Sequence, residues 1–188
     1  MQIHRSPANL CQNCMAQWTF CDHVCMVSTS RHPTQALSTS SISNTIDLLV
    51  FLRHCTDLSS RYWPKDQPNA GNVAGGHRHE WESTVVWLDN PENATPALIG
   101  AAASGHGGYK TSTDPSRNGD RVKVEYYTEF PRNHELQFSS TEGWGFWKIH
   151  WDNLPGPARQ ALQDTDFGSA NVPFKDGNFE SNLDKAWV

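Results

Sequence analysis

The sequence predicts a mainly β protein, a single-domain β-sandwich with peripheral helices. Three observations lead there. β-branched and aromatic stretches recur after residue 60, bounded by Gly, Pro, Asn and Asp turn signals. One segment alone carries clear helix punctuation. All 13 glycines lie beyond residue 60, so the loop chemistry that joins short strands begins there. A chain of 188 residues suits one domain with its own core.

The elements follow in chain order. Residues 1–60 hold three basic and three acidic groups and a Ser/Thr-rich stretch without a sustained period. They are expected to form an atypical, weakly structured N-terminal segment, with one short helix or strand over residues 45–54. Residues 61–188 are expected to form the β-sandwich domain. Its first strand candidate is Thr84-Val85-Val86-Trp87-Leu88, closed by Asp89-Asn90-Pro91. Residues 97–104 are small and apolar. Residues 122–128 alternate after the turn-like Asn118-Gly119-Asp120, and residues 146–151 are aromatic and β-branched. The helix runs from Pro155 to about Asp164, with Ala158, Ala161 and Leu162 on one face. Most tryptophans are expected in the core, as large aromatics usually are.

Composition excludes some roles. A net charge of −5 argues against a general nucleic-acid binder. The longest apolar run, residues 46–52, is far short of the ~20 residues of a spanning helix. No secretory leader is readable in the first thirty residues. The five cysteines, Cys11, Cys14, Cys21, Cys25 and Cys55, are odd in number and leave the disulfide pattern open. Their spacing lacks the separation of a zinc finger.

The chemistry concentrates in Gly75-Gly76-His77-Arg78-His79-Glu80-Trp81-Glu82. Two imidazoles and two carboxylates beside glycines form a metal-ligand composition. On a regular strand His77, His79 and Trp81 would share one face, and Arg78, Glu80 and Glu82 the other. A site using both faces needs a bend, which Gly75-Gly76 permits. His77 then folds back over Glu80 and Glu82, and Asp66 adds a third carboxylate across the loop. The residues alone leave a solvated, salt-bridged strand edge as an equal reading. Gly71 followed by His77-x-His79 also matches the opening of the cupin pattern, but its Glu spacing and second motif are missing.

At these residues the sequence resembles the necrosis- and ethylene-inducing peptide-like proteins. Gly76-His77-Arg78-His79-Glu80-Trp81-Glu82 is similar to the family heptapeptide Gly-His-Arg-His-Asp-Trp-Glu. Tyr62-Trp63-Pro64-Lys65-Asp66-Gln67-Pro68, Ser104-Gly105-His106-Gly107-Gly108-Tyr109 and Asn133-His134-Glu135-Leu136-Gln137-Phe138 match further family segments in order. So do the strand and turn from Val85 and the C-terminal stretch from Asp164.

The resemblance implies an actinoporin- and fungal-lectin-like sandwich, not an enzyme. It implies a divalent cation, Mg²⁺ or Ca²⁺, on Asp66, His77, Glu80 and Glu82. His79, Trp81, His106 and His134 are implied to line the cavity. Mn²⁺ also suits a mixed nitrogen and oxygen set. The implied partner is the sugar head group of plant plasma-membrane glycosylated inositol phosphorylceramides. Contact is with the membrane surface, without a transmembrane helix and without nucleic acid. Secretion is likewise implied. The alternatives are a non-toxic glycan- or lipid-binding module and, with less support, a metal-dependent enzyme using Glu80 or Glu82 as base.

Two departures stand out. Glu80 occupies the family Asp position, and its extra methylene suits loose Ca²⁺ coordination better than octahedral Mg²⁺. Residues 1–60 do not resemble the family's N-terminal region, so sandwich strands are expected to be missing.

Overall fold

A computed structural model describes residues 2–5, 25–26, 54–66, 76–90, 93–128, 134–145 and 147–188. A seven-stranded sheet organises them. Its strands are β1 (Gln2–Arg5), β2 (Cys25–Met26), β3 (His54–Lys65), β4 (Arg78–Leu88), β5 (Leu98–Gly105), β6 (Gly108–Ser112) and β11 (Lys148–His150). The order is β11-β1-β3-β4-β5-β6, with β2 on β3. Every pairing is antiparallel except β1 with β11. Two hairpins complete the strands: β7 (Arg117–Asn118) with β8 (Arg121–Val122), and β9 (Val124–Thr128) with β10 (His134–Phe138). Helices α1 (Gly156–Asp164) and α2 (Phe179–Lys185) follow.

The pleat of β4 divides the molecule. Trp81, Val85 and Trp87 face a C-terminal layer and form the core with Trp151, Leu154, Phe174, Phe179 and Leu183. Leu58, Val85 and Ala102 are register neighbours across β3, β4 and β5, and all three are fully buried. Phe179, Leu183 and Ala186 lie at i, i+4 and i+7, so one stripe of α2 seals this layer. The Trp87 indole N–H donates to Ala186 O at 2.9 Å, which ties β4 to the end of α2. The other face of the sheet carries the β9–β10 hairpin, with β10 packed on β5 and β4. Ala101 and Ala103 are fully buried there, and their small side chains let the hairpin lie close.

Mainly β structure with few helices is what the sequence predicts. Residues 84–88 lie within β4, 98–104 within β5, and 122–128 span β8 and β9. The predicted helix is α1, with Pro155 at its N-cap. Its predicted apolar face needs correction. Ala158 and Leu162 are half-buried, whereas Ala161 is exposed, because the helix lies on the surface and buries no residue. Strand β11 is shorter than residues 146–151, since Trp151 enters a 3-10 turn (Trp151–Asn153).

The boundary at residue 60 falls inside β3, and β1 and β2 join the same sheet. Glycine onset marks where loops begin, not where strands begin. The element expected over 45–54 lies outside the described residues, apart from His54. The expectation for tryptophan also needs correction. Trp81, Trp87 and Trp151 are core, but Trp144 and Trp147 are about nine-tenths exposed, at 91% and 89%. Among the described residues no helix is long and apolar enough to cross a membrane.

Candidate metal centre

The register of β3 and β4 delivers the first ligands. Trp63 pairs with Glu80 and Lys65 with Arg78. Asp66 therefore leaves β3 beside His77, and its amide donates to His77 O at 2.9 Å. The ladder skips Pro64 and His79, as suits a residue without an amide hydrogen. His79 takes φ of +67°, and Gly76 takes +71°. The expected bend at the glycines is thus joined by a second one at His79, a costly conformation for a histidine.

This double bend breaks the alternation of the strand. His77 moves to the Glu80 side and its Nδ1–H donates to His79 O at 2.7 Å. A carbonyl can only accept, so in the neutral ring the lone pair is on Nε2. That nitrogen lies 3.3 Å from Glu80 Oε2 and 3.7 Å from Asp66 Oδ2. Asp66, His77 and Glu80 offer one ligand atom each, all within 4.8 Å of one another. Asp66 is fully buried, and its Oδ2 has no hydrogen-bond partner. A buried carboxylate oxygen left unpaired, facing an imidazole lone pair, is what a cation would satisfy. The residues present fit a divalent ion.

The support for this group is equally specific. The other Asp66 oxygen, Oδ1, accepts from His134 Nδ1 at 2.6 Å and from Tyr126 OH at 3.4 Å. His134 Nε2 is 2.8 Å from the hydroxyl of its cross-strand neighbour Thr128. The Tyr126 ring stacks between His134 and Trp63, with centroids at 4.4 and 4.2 Å. His134 thus orients a candidate ligand from outside. Burial, with the Asp66 carboxylate adding, pushes the Tyr126 phenol above its ordinary range, so it stays a donor.

Glu80 is raised above the ordinary carboxylate range, chiefly by burial, against the opposing pull of His77. Glu82 is pushed further, to about 8, again by burial first. Its carboxylate accepts from Ser104 Oγ, which itself accepts from the Ser83 amide at 2.7 Å. Glu82 shares the Glu80 side of the strand but is not within the three-ligand group.

His106 sits at φ of +50° in the turn between β5 and β6, its Nε2 3.5 Å from Glu135 Oε2. Burial works to raise the Glu135 carboxyl, but the bonds from Lys110 and Tyr127 together outweigh it and hold the group below the ordinary range. His77, Glu80, Trp81, Glu82, His106 and His134 all line one cleft of about 450 Å³. His79 does not, which corrects its expected place. Its ring lies on the core side with Trp81, 2.6 Å from Tyr62 OH and edge-on to Phe167 at 5.3 Å. Sequence reasoning passed over Tyr126, Ser104, Glu135 and Lys110. Ser104 and Glu135 lie in recognised histidine segments, but only the fold brings them to the cleft.

Two expected results follow from this geometry. A Cβ at position 105 would clash with Glu135 Oε2 and lie 3.0 Å from its Cβ and Cδ. Glu135 is held on three sides and cannot swing away. Gly105→Ala is expected to destabilise the protein by about 1–3 kcal/mol, read from a denaturant melt.

The second concerns pH. Glu82 binds its proton more tightly folded than unfolded, since 4.5 rises to about 8. Between these values the native state holds more protons, so metal-free stability falls as pH rises. The expected loss from pH 5 to 8 is on the order of 4 kcal/mol in chelator. Glu82→Gln is expected to flatten that slope.

The family model of the necrosis inducing protein (NPP1) family matches residues 55–186. NLP effector protein 10 of Phytophthora capsici is 48% identical over 131 residues, covering 68% of this chain and 55% of its own length. NLP effector protein 14 of the same organism is 47% identical over 132 residues, covering 68% of this chain and 96% of its own. The chain thus spans about half the length of one relative and nearly all of the other. The solved structure of the non-toxic HaNLP3 protein matches with a TM-score of 0.67 at 37% identity, over 71% of this chain and 62% of that one. NLPPya in complex with glucosamine matches at 0.65 and 41% identity, over 72% and 63%. A structure described as a toxin fold for microbial attack and plant defense matches at 0.65 and 42% identity, over 72% and 63%. The chain therefore belongs to the necrosis inducing protein family, and its mainly β fold is that family's toxin fold.

Proposed function

We propose that this protein is a necrosis-inducing cytolysin that acts outside the cell that makes it. It holds a divalent cation on Asp66, His77 and Glu80, and Glu82 joins them once ionised. It engages the sugar head groups of plant glycosylated inositol phosphorylceramides from the membrane surface. The observation that carries this reading is the orphaned Asp66 Oδ2 facing His77 Nε2 and Glu80 at one end of a polar cleft. Carboxylate oxygens favour Ca²⁺ or Mg²⁺, and the imidazole admits Mn²⁺. A bound cation would supply positive charge and open positions for sugar hydroxyl oxygens. NLPPya in complex with glucosamine and with mannosamine supports a saccharide as the ligand class.

The protein's own residues do the remaining work. His134 and Tyr126 hold Asp66 in place. His77 is aimed by its bond to His79 O. His106, anchored by Glu135, stands over the cleft. Dye-filled vesicles made with and without plant glycosylated inositol phosphorylceramide test the reading. Calcium-dependent leakage only from vesicles with the glycolipid is the expected result; equal leakage from both would contradict it.

A second reading is binding without lysis. It is favoured by Glu80 in the family Asp position and by the likeness to non-toxic HaNLP3. Its signature is glycolipid-dependent binding to the vesicles with no leakage.

A further inference from the structure

The cleft does not end at the cation group. It continues past Trp81 to the C-terminal layer, where Asn178, Ser181, Asn182 and Lys185 line it. Asn178 and Asn182 donate their amide N–H groups to Val172 O at 3.0 Å and Pro173 O at 2.9 Å. Both side chains are thereby fixed, and each keeps its carbonyl oxygen as an acceptor. Trp81 is 8% exposed, and its indole N–H is buried without an acceptor. A buried donor without an acceptor is unusual in a native protein. The cleft's carboxylates, Glu80 and Glu82, stand at the cation end. Among the α2 residues of the lining Lys185, in the last turn of that helix, brings an ammonium. The volume of about 450 Å³ falls within the range of small-molecule sites, about 300–1,000 Å³.

We propose that this arm is a second subsite, which takes the anionic substituent of a saccharide ligand against Lys185. It deepens the head-group reading and rests on it. Amide oxygens and the Ser181 hydroxyl receive ring hydroxyls, while Lys185 provides the counter-charge as a point cation. A phosphate ester and a carboxylate share this chemistry.

Calorimetry on the calcium-loaded full chain separates the outcomes. Glucose, glucose 6-phosphate and glucuronate are the probes. Both anions are expected to bind at least tenfold more tightly than glucose if charge alone counts, and only the ester if a phosphate is required. Lys185→Gln is expected to bring the preferred anion to within about twofold of glucose, with calcium affinity unchanged. Lys175→Gln, outside the cleft, is expected to change nothing. A preference that survives Lys185→Gln would place the anion on the cation itself and overturn the proposal. Equal binding of all three sugars by wild type would also overturn it. Failure of every sugar to bind would instead sink the head-group reading on which the proposal rests.

Discussion

Replacing Asp66 with Asn is expected to abolish the proposed cation binding and to leave the fold intact. Asn keeps an oxygen for the His134 Nδ1–H, so the bond at 2.6 Å survives. The lost charge is the buried one whose Oδ2 lacks a partner. Without metal, its removal relieves repulsion, since Asp66 helps raise both Glu80 and Glu82. Metal-free Asp66→Asn is therefore expected to melt within about 2 °C of wild type. Calcium at a hundred times its dissociation constant adds about 2.7 kcal/mol to wild type. For a protein of this size that is a rise of about 5–10 °C. The variant is expected to show none of it in a thermal shift assay. A variant that keeps the calcium shift would remove Asp66 from the site.

Phe174→Ala is expected to cost about 3–5 kcal/mol. Phe174 is fully buried, edge-on to Trp81 at 5.6 Å and tilted on Trp151 at 5.3 Å. Truncation leaves a cavity between two rigid indoles that cannot collapse into it. The cost is a large part of the roughly 5–15 kcal/mol that holds a domain folded. It also reaches the site, because Trp81 follows Glu80 on β4 and seats that strand in the core. Phe174→Leu is the milder companion, expected to recover more than half the loss. Urea melts of both read the effect, and a loss below about 1 kcal/mol would contradict this packing.

Legibility from sequence varied with the physics involved. Strands β4 and β5 were readable because β-branched and small apolar residues state their environment locally. Helix α1 was readable from Pro155 and its C-terminal limit. Helix α2 was missed, although Phe179, Leu183 and Ala186 carry its period; two helical turns are too short to stand out. Strand β3 mixes Ser, Thr and Asp with Leu and Tyr, and its buried Ser60 is explained only by a bond to Glu82 O at 2.8 Å.

The candidate site divides in the same way. His77, Glu80 and Glu82 are close in sequence, and their composition suggested a metal. Asp66 was suggested as a third carboxylate across the loop, and its segment's resemblance to the family implied the same role. The left-handed backbone at His79 had no sequence signal, since glycine is the residue that announces such a conformation. The family resemblance implied His79 beside the cavity, while the fold sets its ring against Tyr62 and Phe167. Tyr126 and Glu135 are long-range partners, and pairing across strands sets their position.

The most direct test of the central claim is a calorimetric titration of Ca²⁺ into metal-stripped protein whose melting transition shows that it is folded. The account predicts one binding event per chain, accompanied by proton release at pH 7 as the cation displaces the proton held by Glu82. A folded protein that takes up no calcium and no magnesium would contradict it.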